Sequence, residues 1–254
     1  MFRSSAPPAV ERTVLFFSIL ILVLAAWAVL WFTEGSVNSF FHAHNLGHHL
    51  HSSSLFILLF VLSWTLMTVA MMLPTSLPVI ATFHALAGSR PDRLLLVALV
   101  IIGYLAIWAV FGSLVYLGYQ LLHWVVGNIP WLRHQELAGA PLLLILAGAF
   151  QFTSLKYRCL DKCRSPFSFV IEHWQGCNEK RNAFRLGVDH GVFCVGCCWA
   201  LMLLMFVIGF GSLGWMFVLA IVMVIEKNAS WGRRISKPLG IVLISWGILL
   251  FTLN

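Results

Sequence analysis

Apolar runs of about twenty residues, separated by short stretches that hold nearly all the charge, constrain this chain more than any other feature. A helical run of that length matches the roughly 30 Å hydrocarbon layer of a bilayer. Runs that are long or apolar enough fall at 14–32, 55–73, 94–118, 139–155, 187–209, 214–227 and 237–253. Only 10% of the residues are charged and 60% are hydrophobic, where a soluble domain carries about a quarter charged residues. Backbone polar groups in hydrocarbon must be satisfied internally. The expected fold is therefore all-α: a polytopic membrane helix bundle of about seven transmembrane helices, one integral membrane domain over 1–254. The first run, 14–32, is longer than a signal-peptide core and lacks a small-residue cleavage site, so it reads as a retained helix. A His-rich loop at 33–54 follows, then a helical core over 55–254. Pro74 and Pro78 are expected to end the second helix and open a loop.

Lysine and arginine set the direction. With the N-terminus inside, fifteen of the sixteen basic residues fall on the cytoplasmic side and only Arg133 falls outside. Such a bias is the positive-inside pattern, and it places the C-terminus outside. The net charge of +7 is thus explained by topology and by anionic lipid headgroups, and no nucleic-acid partner is expected.

In this frame sulfur collects at one depth. GVFCVGCCWALMLLM, residues 191–205, holds Cys194, Cys197, Cys198, Met202 and Met205. At about 100° per residue, these five and His190 fall within an arc of about 140°. Gly187 and Gly191 share that arc, where a second helix is able to approach closely. CLDKC brings Cys159 and Cys163 to the cytoplasmic end of the fourth helix. WTLMTVAMMLP brings Met67 and Met71 onto the face of Trp64, with Met72 beside it. MVIEK brings Met223 and Glu226 to the end of the sixth. Thiolate and thioether donors together select Cu(I), and thiolate alone also suits zinc or an iron–sulfur centre. Cysteine and methionine also serve as plain apolar filling in helix interfaces; the agreement in depth of separate segments favours metal or redox chemistry.

A different cluster, HAHNLGHHLHSSS, lies in the first outside loop. His42, His44, His48, His49 and His51 suit Cu(II), Zn(II) or Ni(II) and form a candidate secondary outside site. The alternative is a polar loop that titrates near neutral pH. Trp-x-Leu-Met occurs at 64–67 and at 199–202, in helices of opposite expected direction. Helices two to four and five to seven are therefore candidates for a 3+3 inverted repeat. No Walker, dinucleotide-binding, serine-hydrolase or zinc-protease motif is present, and the residues favour binding over catalysis.

The stretches WTLMTVAMMLP (64–74), LKYRCLDKCRSP (155–166), GVFCVGCCWALM (191–202) and WMFVLAIVMVIEK (215–227) resemble a bacterial family of multi-pass membrane proteins. That family is described as metal-binding, and its members are labelled copper chaperones. The resemblance runs through most of the chain after the first helix and implies metal roles at Met67, Met71, Met72, Cys159, Cys163, Cys194, Cys197, Cys198, Met202 and Glu226. Members often carry Gly-x-Met-Asn between the fifth and sixth helices, where this chain reads GFGSLGW. The His-rich loop lies outside the resemblance.

Together these readings lead to a multi-pass protein of the bacterial inner membrane that binds copper as Cu(I), with zinc as the nearest variant. The cysteines are the expected primary ligands, the methionines softer or relay ligands, and Glu226 the charge balance. Delivery, transport and buffering all remain open, with a membrane cuproenzyme or a soluble metal carrier as exchange partner. The rival reading is a membrane thiol–disulfide oxidoreductase using Cys194 and Cys197, with Cys159 and Cys163 as partners. Methionine beside cysteine favours copper, because a thioether has no part in thiol exchange.

Overall fold

A computed structural model describes residues 9–42, 54–88, 90–128, 139–174, 178–208 and 212–253. The described residues form α-helices only: α1 (Ala9–His42), α2 (Ser54–Leu86), α3 (Arg93–Asn128), α4 (Gly139–Phe150), α5 (Ser154–Cys163), α6 (Pro166–His173), α7 (Glu179–Ile208), α8 (Leu213–Asn228) and α9 (Gly232–Leu253). Five are long and apolar enough to cross a membrane: α1, α2, α3, α7 and α9. The pair α4/α5 makes a sixth crossing if its two halves count as one span, bent by 65°. Large apolar side chains such as Ile21, Phe32, Leu114, Leu121, Ile241 and Phe251 point outward. An apolar exterior on long helices is consistent with a membrane protein.

Helix α7 occupies the middle and packs against α3, α4 and α5, while α2 packs against α1, α3, α6 and α8. Glycine brings α3 and α7 together, as the shared arc of Gly187 and Gly191 suggests. A Cβ on Gly187 would strike the Val100 backbone, and one on Gly103 would strike the Phe184 carbonyl. Backbone contact of this kind is how helices associate when lipid competes for every larger side chain.

Several elements differ from expectation. Pro74 and Pro78 lie inside α2, which continues to Leu86. A proline in a helix leaves the carbonyl four residues earlier without its usual partner. Here the Trp27 indole N–H of α1 donates to that carbonyl, Ala70 O, at 3.2 Å. The hydroxyls of Thr75, Ser76 and Thr82 bond back to Met72 O, Met72 O and Pro78 O at 2.7, 3.3 and 2.7 Å. The interrupted ladder is thus supported from both sides, and the helix carries on.

The fourth expected span, 139–155, does not run straight. Helix α4 ends at Phe150 and α5 begins at Ser154, with Thr153 extended at φ −73°, ψ 144° and its hydroxyl accepting from the Lys156 N–H at 3.3 Å. That is an N-cap, so α5 starts as a new helix rather than as a continuation. The sixth expected span is α8, with 16 residues. At about 1.5 Å per residue it is shorter than a full crossing. Finally, α1 runs on to His42, so the loop expected from residue 33 begins later. The rest of the His-rich loop, with His44, His48, His49 and His51, lies outside the described residues, as do the His42 side chain and Cys177.

Candidate metal centre

The sulfur atoms converge. Cys159, Cys163, Cys194, Cys197 and Cys198 are buried free thiols. They share one buried cluster with Met67, Met71, Met72, Met202, Met205, Met216 and Met223. Four helices supply them: α2, α5, α7 and α8. Cys194, Cys197 and Cys198 are 0–1% exposed, so the inward arc of α7 is the one its periodicity indicates.

Cys194 is the focal carbonyl of the α7 turn. The Cys197 thiol donates to Cys194 O at 3.1 Å, and the Cys198 thiol donates to the same oxygen at 2.9 Å. From α2, the Met72 thioether meets Cys198 Sγ at 3.7 Å. From α3, the Tyr104 hydroxyl lies 3.1 Å from Cys194 Sγ and 3.3 Å from Met72 O. From α8, the Lys227 ammonium donates to Cys194 Sγ at 2.9 Å and to Thr75 Oγ1 at 3.2 Å. It also lies 3.9 Å from Cys198 Sγ and 3.8 Å from Met72 Sδ. His190, one turn before Cys194, is buried with Nε2 3.2 Å from Ser76 Oγ and Nδ1 without a partner.

The second pair arrives on α5. Cys163 is buried in the same cluster as Cys197. Cys159 Sγ lies 2.6 Å from where a Cβ would stand on Gly196; the glycine in Cys-x-Gly-Cys-Cys is therefore the seat that admits α5 to α7. The residues after the pair have structural duties. The Arg164 guanidinium donates to the carbonyls of Glu226 and Ser230, the latter at 3.0 Å, which closes the exposed end of α8. Ser165 and Pro166 open α6, with proline in the first turn where its missing N–H costs nothing.

Glu226 stands elsewhere. Its carboxylate accepts from Lys156 Nζ at 2.8 Å on each oxygen and from Ser236 Oγ at 2.7 Å. Lys156 also donates to Gln151 in the α4–α5 break. Glu226 therefore anchors the bent pair α4/α5 to α8, while its neighbour Lys227 turns to the sulfur. Met67 and Met202 pack in the same cluster. Met71 also lines a cavity of ≈ 200 Å³ with Trp27, Pro74 and Phe217.

Sequence reasoning missed Lys227, Tyr104, Thr75, Ser76 and Lys156. A signal for Lys227 existed. Met216, Met223 and Lys227 repeat at seven and four residues, a single helix stripe, and all three are buried.

The donor chemistry fits a soft ion, and its geometry limits the coordination. Among the described residues no group of three or more His, Cys, Asp or Glu side chains is arranged to hold a metal ion. Zinc in a structural site asks for four such ligands in a tetrahedron. The Met72 thioether, Cys194 and Cys198 surround the Lys227 ammonium at 3.8, 2.9 and 3.9 Å.

Fold and site define an all-helical protein of membrane character with a buried thiol and thioether centre. The chain belongs to the PpoB2 copper chaperone family, whose model matches residues 61–250. That span takes in α2 from its second turn through most of α9 and every sulfur named above. No curated protein and no solved structure matches the chain.

Proposed function

We propose that this chain is a multi-pass protein of the bacterial inner membrane that takes up Cu(I) as its cargo at the sulfur centre. Cys194 and Cys198 are the primary ligands and Met72 is the thioether beside them. Cys197, with Cys163 and Cys159 on α5, forms the adjoining thiol group through which the ion exchanges. Met67, Met71 and Met202 are softer positions further along the bundle. The positive-inside distribution puts this centre in the cytoplasmic half, within reach of a soluble carrier on one side and a membrane cuproenzyme within the bilayer.

The observation that carries the reading is the approach of Met72 Sδ to Cys198 Sγ, 3.7 Å apart on different helices. Mixed thiolate and thioether donors prefer Cu(I) over harder divalent ions. Thiol–disulfide exchange, by contrast, has no use for a thioether, and Met72 stands directly against Cys198.

The test is metal content. Full-length protein in detergent micelles, loaded anaerobically with Cu(I) or Zn(II) and desalted, is measured by mass spectrometry beside a Cys194/Cys197/Cys198→Ser variant. About one copper per chain, lost in the variant, supports the reading. Zinc retained in place of copper, or no metal at all, contradicts it.

A further inference from the structure

The charges around the sulfur centre are unequal. Glu226, the acid next in sequence to Lys227, is fully engaged by Lys156 and Ser236. Lys227 is 5% exposed. Among the described residues it makes no ion pair with a carboxylate. Its four neighbours are Cys194 Sγ, Thr75 Oγ1, Met72 Sδ and Cys198 Sγ. A buried cation without a counter-charge is costly unless something nearby becomes negative. Of these four described neighbours, the two able to become negative are the cysteines, whose thiols lie 2.9 and 3.9 Å from the ammonium.

We propose that Lys227 fixes the charge of the cargo complex, as the built-in counter-cation of a monovalent ion held by the Cys194 and Cys198 thiolates. This rests on the Cu(I) reading above and adds what selects the ion's charge. The balance is as follows. One Cu(I) enters, two S–H bonds break, two Cu–S bonds form, and two protons leave to buffer. The sulfur group passes from neutral to a charge of minus one, which the Lys227 ammonium cancels. A divalent ion on the same two thiolates gives a neutral complex and leaves Lys227 uncompensated. The ammonium therefore favours a monovalent ion and gives no such help to a divalent one. No oxidation or reduction is involved.

The experiment compares the full-length natural chain with K227M, K227Q and K227R in detergent micelles under anaerobic conditions. Cu(I) affinity is read by competition with a chromophoric Cu(I) chelator, and Zn(II) affinity by competition with a zinc indicator. Elution as a single species and helical circular dichroism confirm the fold. A unit charge at this separation in a partly screened interior changes affinity by about a hundredfold. K227M and K227Q are expected to lose Cu(I) affinity by about that factor and to hold Zn(II) within about threefold of the natural chain. K227R, which keeps the charge, is expected to stay within about tenfold for Cu(I). Unchanged Cu(I) affinity in folded K227M or K227Q overturns the proposal while leaving the Cu(I) reading intact, as does an equal fall for both metals. Failure of the natural chain to bind Cu(I) overturns both.

Discussion

Cys198 Sγ lies 3.7 Å from Met72 Sδ, a thiol on α7 against a thioether on α2. The contact ties the two sulfur-bearing segments together at the point where α2 passes Pro74. It depends on the hydroxyls of Thr75 and Ser76 and on Tyr104, all of which bond to Met72 O. The peptide that carries Met72 is thereby held by three side chains. Replacing Met72 with leucine conserves volume and removes only the sulfur, and swaps of this kind cost less than about 1.5 kcal/mol of stability. Met72→Leu is therefore expected to keep its melting temperature and to bind Cu(I) about tenfold more weakly, one thioether's share of the coordination. Chelator competition and thermal unfolding on the same sample check both halves.

The Lys156–Glu226 pair is expected to act on stability and not on the metal. Removing one partner of a buried, hydrogen-bonded ion pair costs about 3–5 kcal/mol, whereas removing both costs far less. Glu226→Gln and Lys156→Met are each expected to lower the melting temperature markedly. The double variant is expected to recover much of that loss and to bind Cu(I) as the natural chain does. Loss of Cu(I) from a stable double variant would return Glu226 to the ligand set.

Gly196 is the seat of Cys159. A methyl there would stand 2.6 Å from Cys159 Sγ, closer than any real contact, so α5 must shift or Cys159 must turn away. Gly196→Ala is expected to destabilise the fold by about 1–3 kcal/mol. It should also raise the labelling rate of Cys159 by a thiol reagent, read by mass spectrometry of the labelled peptide. Labelling no faster than in the natural chain would show that α5 is not seated on this glycine.

Trp27 repairs the backbone at Pro74 by donating to Ala70 O at 3.2 Å. Trp27→Phe keeps the ring and removes the donor. A buried carbonyl left without a partner costs about 1–3 kcal/mol, so unfolding is expected at lower temperature. The same substitution in a Pro74→Ala background is expected to cost less, because the alanine N–H restores the partner. Equal costs in both backgrounds would refute this role.

Much of the site was legible because sulfur was placed by simple geometry. The spacing of Cys194, Cys198 and Met202 fixes one face of α7, and charge in the loops brought CLDKC and Met72 to the same depth. The glycines Gly187 and Gly191 likewise announced a close helix neighbour, found as α3. What escaped was the effect of tertiary partners on local signals. Pro74 reads as a stop until the Trp27 donor is known. Thr153 was not recognised as a cap, so 139–155 read as one helix. Glu226 reads as the charge balance of the metal, because nothing local in MVIEK shows that it pairs with Lys156 while Lys227 turns to the sulfur. The Glu226 carboxylate is taken by Lys156, 70 residues away in sequence, and the Lys227 ammonium by Cys194, 33 residues away.

Cu K-edge X-ray absorption on the anaerobically loaded full-length protein tests the central claim most directly, because it reports the donors themselves. A Cu(I) edge with a shell of two or three sulfur neighbours and no nitrogen or oxygen is the predicted result. A shell dominated by nitrogen or oxygen, or four neighbours in a tetrahedron, would contradict the proposal that Cys194, Cys198 and Met72 hold Cu(I).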